Sequence, residues 1–413
     1  MLSIDDALDK IRKAIQPLAG EEIFVADALG RVLADDIIAD VSHPPQAVSA
    51  MDGYAVRAAD IPTAPTVLTQ IGEAAAGHAF TGTVGNGECA RIFTGGALPD
   101  GADSIVIQED TTMDGDKITI NEAPKPGAWV RPEGLDFAAG KPLLAADTLL
   151  TARDLGLASA AGATWFRVRR KPRIAVLSTG DEVVMPGAPH RSDQIVSSNS
   201  VALMAYAQVL GAEAVSLGVA EDRPESLRAK LKDAAGFDML VTSGGASVGD
   251  HDLIQSVFGD EGLDLGFYKI AMRPGKPLIF GNIGGMHLLG LPGNPVSTGV
   301  CAAIFMRAAI ECMLGLPPQP LYQAARLGSD LGPNGKRLDF MRARLTPSDT
   351  DLPTATPFDR QDSAMLAAFA DADCLIMREI GAGPATQGDV VKIVPLGFSS
   401  LILNQVQDDA RRG

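Results

Sequence analysis

Between Arg173 and Leu314 the sequence alternates short, almost wholly apolar runs with helical stretches, and three of those runs end at once in small residues and glycine. The apolar runs fall at 174–177, 214–219, 239–242, 267–271, 278–280 and 287–289. A strand without polar alternation must be covered on both faces, and repeated strand–helix–strand units supply that cover. The pattern therefore predicts a doubly wound parallel sheet over 171–316. Its helices are expected over 200–210, after Asp222 and Pro224, from near Asp252, and from Asn294-Pro295 to Leu314.

The flanks read differently. From 42 to 130, runs at 66–71, 89–93, 104–108 and 117–120 are separated by Gly, Pro and Asp, which predicts a β-rich domain. From 320 to 400, runs at 341–345, 374–378 and 390–395 predict a small β-barrel or sandwich. Ser3 opens a helix carrying Ile4, Leu8, Ile11, Ile15 and Leu18 on one face, and Thr151 with Asp154 caps another over 152–161. Residues 1–41 and 131–170 are grouped as a helical linking region, closed by the basic run 167–172, and 404–413 as a frayed tail. The expected class is multi-domain α/β: a Rossmann-like sheet with added β-rich domains and a helical linker.

Charge narrows the function. The net charge is −16, and such a field repels phosphate backbones and anionic lipid, so neither nucleic acid nor a membrane surface is an expected partner. No apolar run reaches 18 residues; the best, 300–310, contains Arg307. The acidic start MLSIDDALDK lacks the positive charge of a secretory signal. Cys89, Cys301, Cys312 and Cys374 form no CxxC pair, which argues against zinc and for a reducing cytoplasm.

The three turns are Ser178-Thr179-Gly180-Asp181-Glu182, Ser243-Gly244-Gly245-Ala246-Ser247 and Leu291-Pro292-Gly293-Asn294-Pro295. The carboxyl ends of parallel strands line the ligand crevice, and glycine there lets backbone N–H groups approach a phosphate. Asp181, Glu182, Asp222, Asp250 and Asp252 cluster at the same ends. Acids beside an anion require an intervening cation, and Mg²⁺ shared with phosphate oxygens meets that need. Lys269, Arg273 and Lys276 form the best local positive site. Gly245-Ala246-Ser247-Val248-Gly249 also fits a nucleophile elbow, but His251 and His287 are poorly placed as its base. His43, His78 and His190 show no metal spacing.

Read in order, Ser49-Ala50-Met51-Asp52-Gly53-Tyr54-Ala55, Phe93-Thr94-Gly95, the three turns, Arg273-Pro274-Gly275-Lys276-Pro277 and Leu291-Pro292-Gly293-Asn294-Pro295 resemble the molybdopterin molybdenumtransferase family, MoeA-type enzymes related to the C-terminal domain of gephyrin. The resemblance implies insertion of molybdenum from molybdate into adenylylated molybdopterin, release of AMP, a requirement for Mg²⁺, and a homodimer whose site is shared between chains. It implies catalytic roles for Asp52, Thr94, Asp136, Glu182, Asp222, Asp252, Lys269 and Arg273, with Glu182, Asp222 and Asp252 as metal ligands. It implies substrate contacts at Arg131, Ser178, Thr179, Gly180, Ser243, Gly244, Gly245, Ser247, Lys276, Pro292, Gly293, Asn294, Pro295 and Ser363. The sequence departs from the family pattern at Leu135, Ser197 and Arg273, where an acid, an aspartate and a lysine are usual. A molybdopterin adenylyltransferase or nucleotide hydrolase on the same module would not require the Met51–Tyr54 motif or the added β domains. A non-catalytic scaffold would not require the retained acids and bases.

Overall fold

The computed structural model describes residues 1–245, 253–349 and 351–397. At its centre lies a six-stranded sheet in the order Glu213–Ala220, Arg173–Thr179, Met239–Ser243, Met286–Leu291, Ile279–Ile283, Asp264–Tyr268. The first four strands are parallel, so their carboxyl ends share one edge. The remainder corrects the expected all-parallel sheet, because Ile279–Ile283 runs antiparallel to both neighbours. Gly284 and Gly285 take φ of 58° and 92°, the pair of positive values a two-residue hairpin demands, and the chain reverses instead of crossing over. Asp264–Tyr268 consequently points with the parallel strands and brings Lys269 to the same edge.

Side chains along each central strand alternate between two separate cores. Ile174, Val176, Met239, Val241, Leu289 and Leu291 enter one, while Ala175, Leu177, Leu240 and Leu288 join Leu227, Ile254 and Phe258 in the other. A wholly apolar strand encodes this two-sided burial. The first core is centred on a helix from Pro295 to Met313 with a π-helical stretch at Ala302–Met306. Contrary to the run-length reading, this 19-residue helix is long and apolar enough to cross a membrane, yet 89% of its apolar window is buried inside the module.

The helix Ile4–Ala14 is started by Ser3, whose Oγ accepts from the Asp6 N–H at 3.1 Å, a cap worth about 1 kcal/mol. Its Ile4, Ala7, Leu8 and Ile11 sit in the central core, not in the linking region with which the sequence grouped it. The linker itself is more β than helical. Gly20–Phe24 pairs with Trp165–Arg169 and Ile37–Ile38 with Pro142–Leu144, around one helix, Ala152–Ala160, that has a complete Thr151/Asp154 capping box. Thus 20–38 and 142–169 form one unit although the first β domain is inserted between them.

That inserted domain is a mixed six-stranded sheet in the order Ser104–Ile107, Gly53–Val56, Glu88–Ile92, Thr66–Ala74, Lys117–Ile120, Thr111–Asp114. Its cores, including Tyr54, Leu68, Ile118 and Ile92, draw on its own residues. The C-terminal region closes a five-stranded ring: Leu338–Thr346, Thr354–Pro357, Gln323–Leu327, Val390–Pro395 and Cys374–Arg378, with the last pairing back to the first. Met272–Arg273 of the central module adds to Leu338–Thr346 in parallel and joins the two bodies. The expected tail 404–413 lies outside the described residues.

Candidate functional site

The three glycine turns meet. Ser178, Thr179 and Gly180, Ser243, Gly244 and Gly245, and Pro292, Gly293, Asn294 and Pro295 all line one cleft of 890 Å³ at the carboxyl edge of the central sheet. The glycines are there for space. A Cβ on Gly244 would lie 2.7 Å from the Thr179 carbonyl oxygen, and one on Gly245 2.6 Å from Ile254 Cδ1, with both residues at positive φ. Asn199, on the helix Ser198–Val209, ties the turns together by donating to Ser243 Oγ and to the Gly293 carbonyl, each at 2.8 Å. The sequence reading did not single it out.

Thr179 is only 4% exposed, and its Oγ1 is buried with no hydrogen-bond partner among the described residues. A buried hydroxyl without a partner costs stability unless a ligand satisfies it. Thr179→Val should therefore keep thermal stability at or slightly above wild type while weakening binding of the cleft's ligand by about tenfold. Calorimetry together with a binding titration tests this; unchanged affinity would remove the hydroxyl from the ligand's contacts.

Acids line the same cleft. Glu182 and Asp222 both face it, and Asp181 Oδ1 accepts from the Asp222 backbone N–H at 3.1 Å. The helix Pro224–Asp233 is preceded by Arg223 with no side-chain cap, so Asp222 does not serve as its cap. Although the Asp222 side chain is open to solvent, desolvation by the cleft wall, reinforced by Asp181 and Glu182, raises its carboxyl above the ordinary value. Like charges held this close fit a cation-binding role. Among the described residues, no group of three His, Cys, Asp or Glu is arranged to hold a metal ion. Ser247 and Asp252, expected as substrate contact and third metal ligand, lie outside the described residues, as do Asp250 and most of the nucleophile-elbow segment.

A second pocket, of 350 Å³, holds Arg273, Lys276, Ser297, Arg337, Asp339, Arg342, Gln361 and Ser363. Arg273 turns its fork onto Asp339, with Nε donating to Oδ1 at 3.0 Å. Arg342 is 1% exposed and donates to Gln361 Oε1 and to the carbonyls of Asp362 and Arg360. Pro277 and Asn294 connect this pocket to the cleft: Pro277 lines both, and Asn294 Nδ2 donates to Ser363 Oγ at 3.1 Å. Lys269 lines neither. It lies at the shared strand edge with φ 68° and its ammonium 4.4 Å from the Tyr268 ring centroid. That left-handed backbone is uncommon for a lysine.

In the first β domain, Asp52 and Thr94 come together. Asp52 Oδ1 accepts from the Thr94 N–H at 2.7 Å and from Thr94 Oγ1 at 2.8 Å. These bonds hold the exposed Asp52 carboxyl below its ordinary value. Arg131 and Asp136 line a pocket of 490 Å³ with His43, Gly95 and Leu135. Neither Asp52 nor Thr94 lines the central cleft of its own chain.

Known proteins match most of the chain. Residues 2–162 match a family profile described as MoeA N-terminal region (domain I and II), 175–311 one described as probable molybdopterin binding domain, and 324–396 one described as MoeA C-terminal region (domain IV). A curated protein of Nostoc sp. named molybdopterin molybdenumtransferase is 36% identical over 328 residues, covering 77% of this chain and 75% of its own. One of the same name from Haemophilus influenzae is 33% identical over 400 residues, covering 96% and 98%. The crystal structure of a molybdopterin biosynthesis MoeA protein from Pyrococcus horikoshii superposes with a TM-score of 0.84 at 31% identity, over 96% of this chain and 99% of that one.

Proposed function

Because the chain belongs to the molybdopterin molybdenumtransferases, enzymes of molybdenum cofactor biosynthesis, we propose that its central cleft binds adenylylated molybdopterin and that molybdenum enters from molybdate as AMP leaves. The observation that carries this reading is the convergence of three glycine turns with Glu182 and Asp222 on one 890 Å³ cleft. Two anions must be brought together there, and Coulomb repulsion opposes it. The Gly244-Gly245 turn, too tight for a Cβ, lets a phosphate approach the backbone, and the Thr179 hydroxyl, without a partner among the described residues, offers it a donor. Lys276 and Arg273, with buried Arg342 behind them, keep the adjoining pocket positive and suited to the oxyanion. Glu182 and Asp222 would hold Mg²⁺, with Asp252 as the expected third ligand; when bound, the ion shields the pyrophosphate and polarises its anhydride bond.

Asp52 and Thr94 need a route to this cleft. The first β domain has its own core and lends the cleft none of its lining. A homodimer, in which each β domain covers the partner's cleft, is the arrangement this supports.

The reading is tested by incubating the protein with adenylylated molybdopterin, molybdate and Mg²⁺. AMP should appear, stop with a chelator and resume with excess Mg²⁺. Full release in chelator, or none under any condition, would contradict it.

A further inference from the structure

Asp52 stands on a turn that is braced from behind. Gly53, next to it, cannot carry a side chain, because a Cβ there would lie 2.0 Å from the Val106 carbonyl oxygen. The turn is thus pressed against the strand Ser104–Ile107, and its two carbonyls are each taken up. The Asp52 carbonyl accepts from the Gln108 N–H at 3.0 Å, and the Gly53 carbonyl from Arg91 Nη1 at 2.9 Å. Arg91 closes the frame, since its Nη2 donates to Gln108 Oε1 at 2.7 Å. The guanidinium is held against the Phe93 ring at 4.7 Å and the Tyr54 ring at 5.2 Å.

The frame links three segments through one side chain. Arg91 is the penultimate residue of the strand Glu88–Ile92 that leads into the Phe93-Thr94 turn, Gly53 continues from Asp52, and Gln108 begins the next turn. Thr94, which fixes the Asp52 carboxylate, is three residues from Arg91. A planar fork reaches both acceptors at once, which a lysine cannot do.

We propose that Arg91 is a positioning residue for Asp52, fixing the backbone that follows the carboxylate through Gly53 and Gln108. The proposal rests on the reading of Asp52 as part of the molybdenum-insertion site. It does not place Arg91 against substrate.

The test measures kcat and KM for AMP release in Arg91→Ala, Arg91→Lys, Gln108→Ala and, as reference, Asp52→Ala. Misplacing a reacting group by about 1 Å costs roughly 10- to 100-fold in rate, so Arg91→Ala should lose kcat on that scale. KM should stay within about twofold, because binding contacts are untouched. Arg91→Lys, reaching one acceptor, should fall between Arg91→Ala and wild type, and Gln108→Ala should lose several-fold. Wild-type kcat in folded Arg91→Ala, or a rise in KM at constant kcat, would overturn the proposal. Should Arg91→Ala fail to fold, wild-type kcat in both Arg91→Lys and Gln108→Ala would overturn it equally. An active Asp52→Ala would instead remove Asp52 from the site, and the inference with it. Loss in Asp52→Ala alone, with every Arg91 and Gln108 variant unaffected, would leave that reading standing and refute only the positioning role.

Discussion

Asp52→Ala should lower AMP release by roughly 10²- to 10⁴-fold and leave the melting temperature at its wild-type value. The stability half follows from position. The carboxylate is exposed, and its two hydrogen bonds come from the neighbouring Thr94 turn, which is also secured by the bonds from Gly95 N–H to the Ser49 carbonyl and from Gly96 N–H to the Phe93 carbonyl. The activity half follows from charge. Thr94 holds the Asp52 carboxyl below its ordinary value, so the group stays an anion to lower pH than an ordinary aspartate. Asp52→Asn keeps the shape and removes the charge, and it should be as inactive as Asp52→Ala. Thr94→Val keeps the backbone N–H bond and loses the hydroxyl, and it should be intermediate. Steady-state kinetics beside differential scanning calorimetry would check all three. A stable, fully active Asp52→Asn would mean that the carboxylate charge has no part in the reaction.

Much of the site could be read before the fold was known, because its physics is local. A strand that is apolar on both faces and then stops at glycine states both its burial and the position of its carboxyl end. Three such strands brought Thr179, Gly244 and Asn294 to one cleft, as expected. What could not be read depends on three dimensions. The apolar run at 278–280 looks like any parallel strand, and only the Gly284-Gly285 reversal turns it antiparallel. Arg273 and Lys269 looked alike as basic residues on one stretch. Their separation arises because Met272–Arg273 leaves the central sheet to pair with Leu338–Thr346, which carries Arg273 to Asp339 and a second pocket. Arg342 gave no signal at all, since an arginine in an alternating β run reads as solvent-facing until the Gln361 segment covers it. Asn199 and Arg91 were missed for a related reason. Each is polar on a regular element, and each matters through partners 44 and 38 residues away in sequence.

The central claim is that the Asp52–Thr94 pair and the Glu182–Asp222 acids act on one substrate although no single chain brings them into one cleft. Mixing Asp52→Ala protein with Glu182→Ala protein tests it most directly. Each homodimer lacks a necessary group at both sites and should be inactive. In a mixed dimer with a shared site, one site collects both defects and the other collects none. Random exchange of equal amounts makes half the dimers mixed, each with one intact site, so activity should return to about a quarter of wild type. Differently tagged subunits, captured together, would show that exchange had occurred. Recovery near that fraction is the expected result. No recovery, with mixed dimers in hand, would show that each chain builds its site alone and would contradict the account.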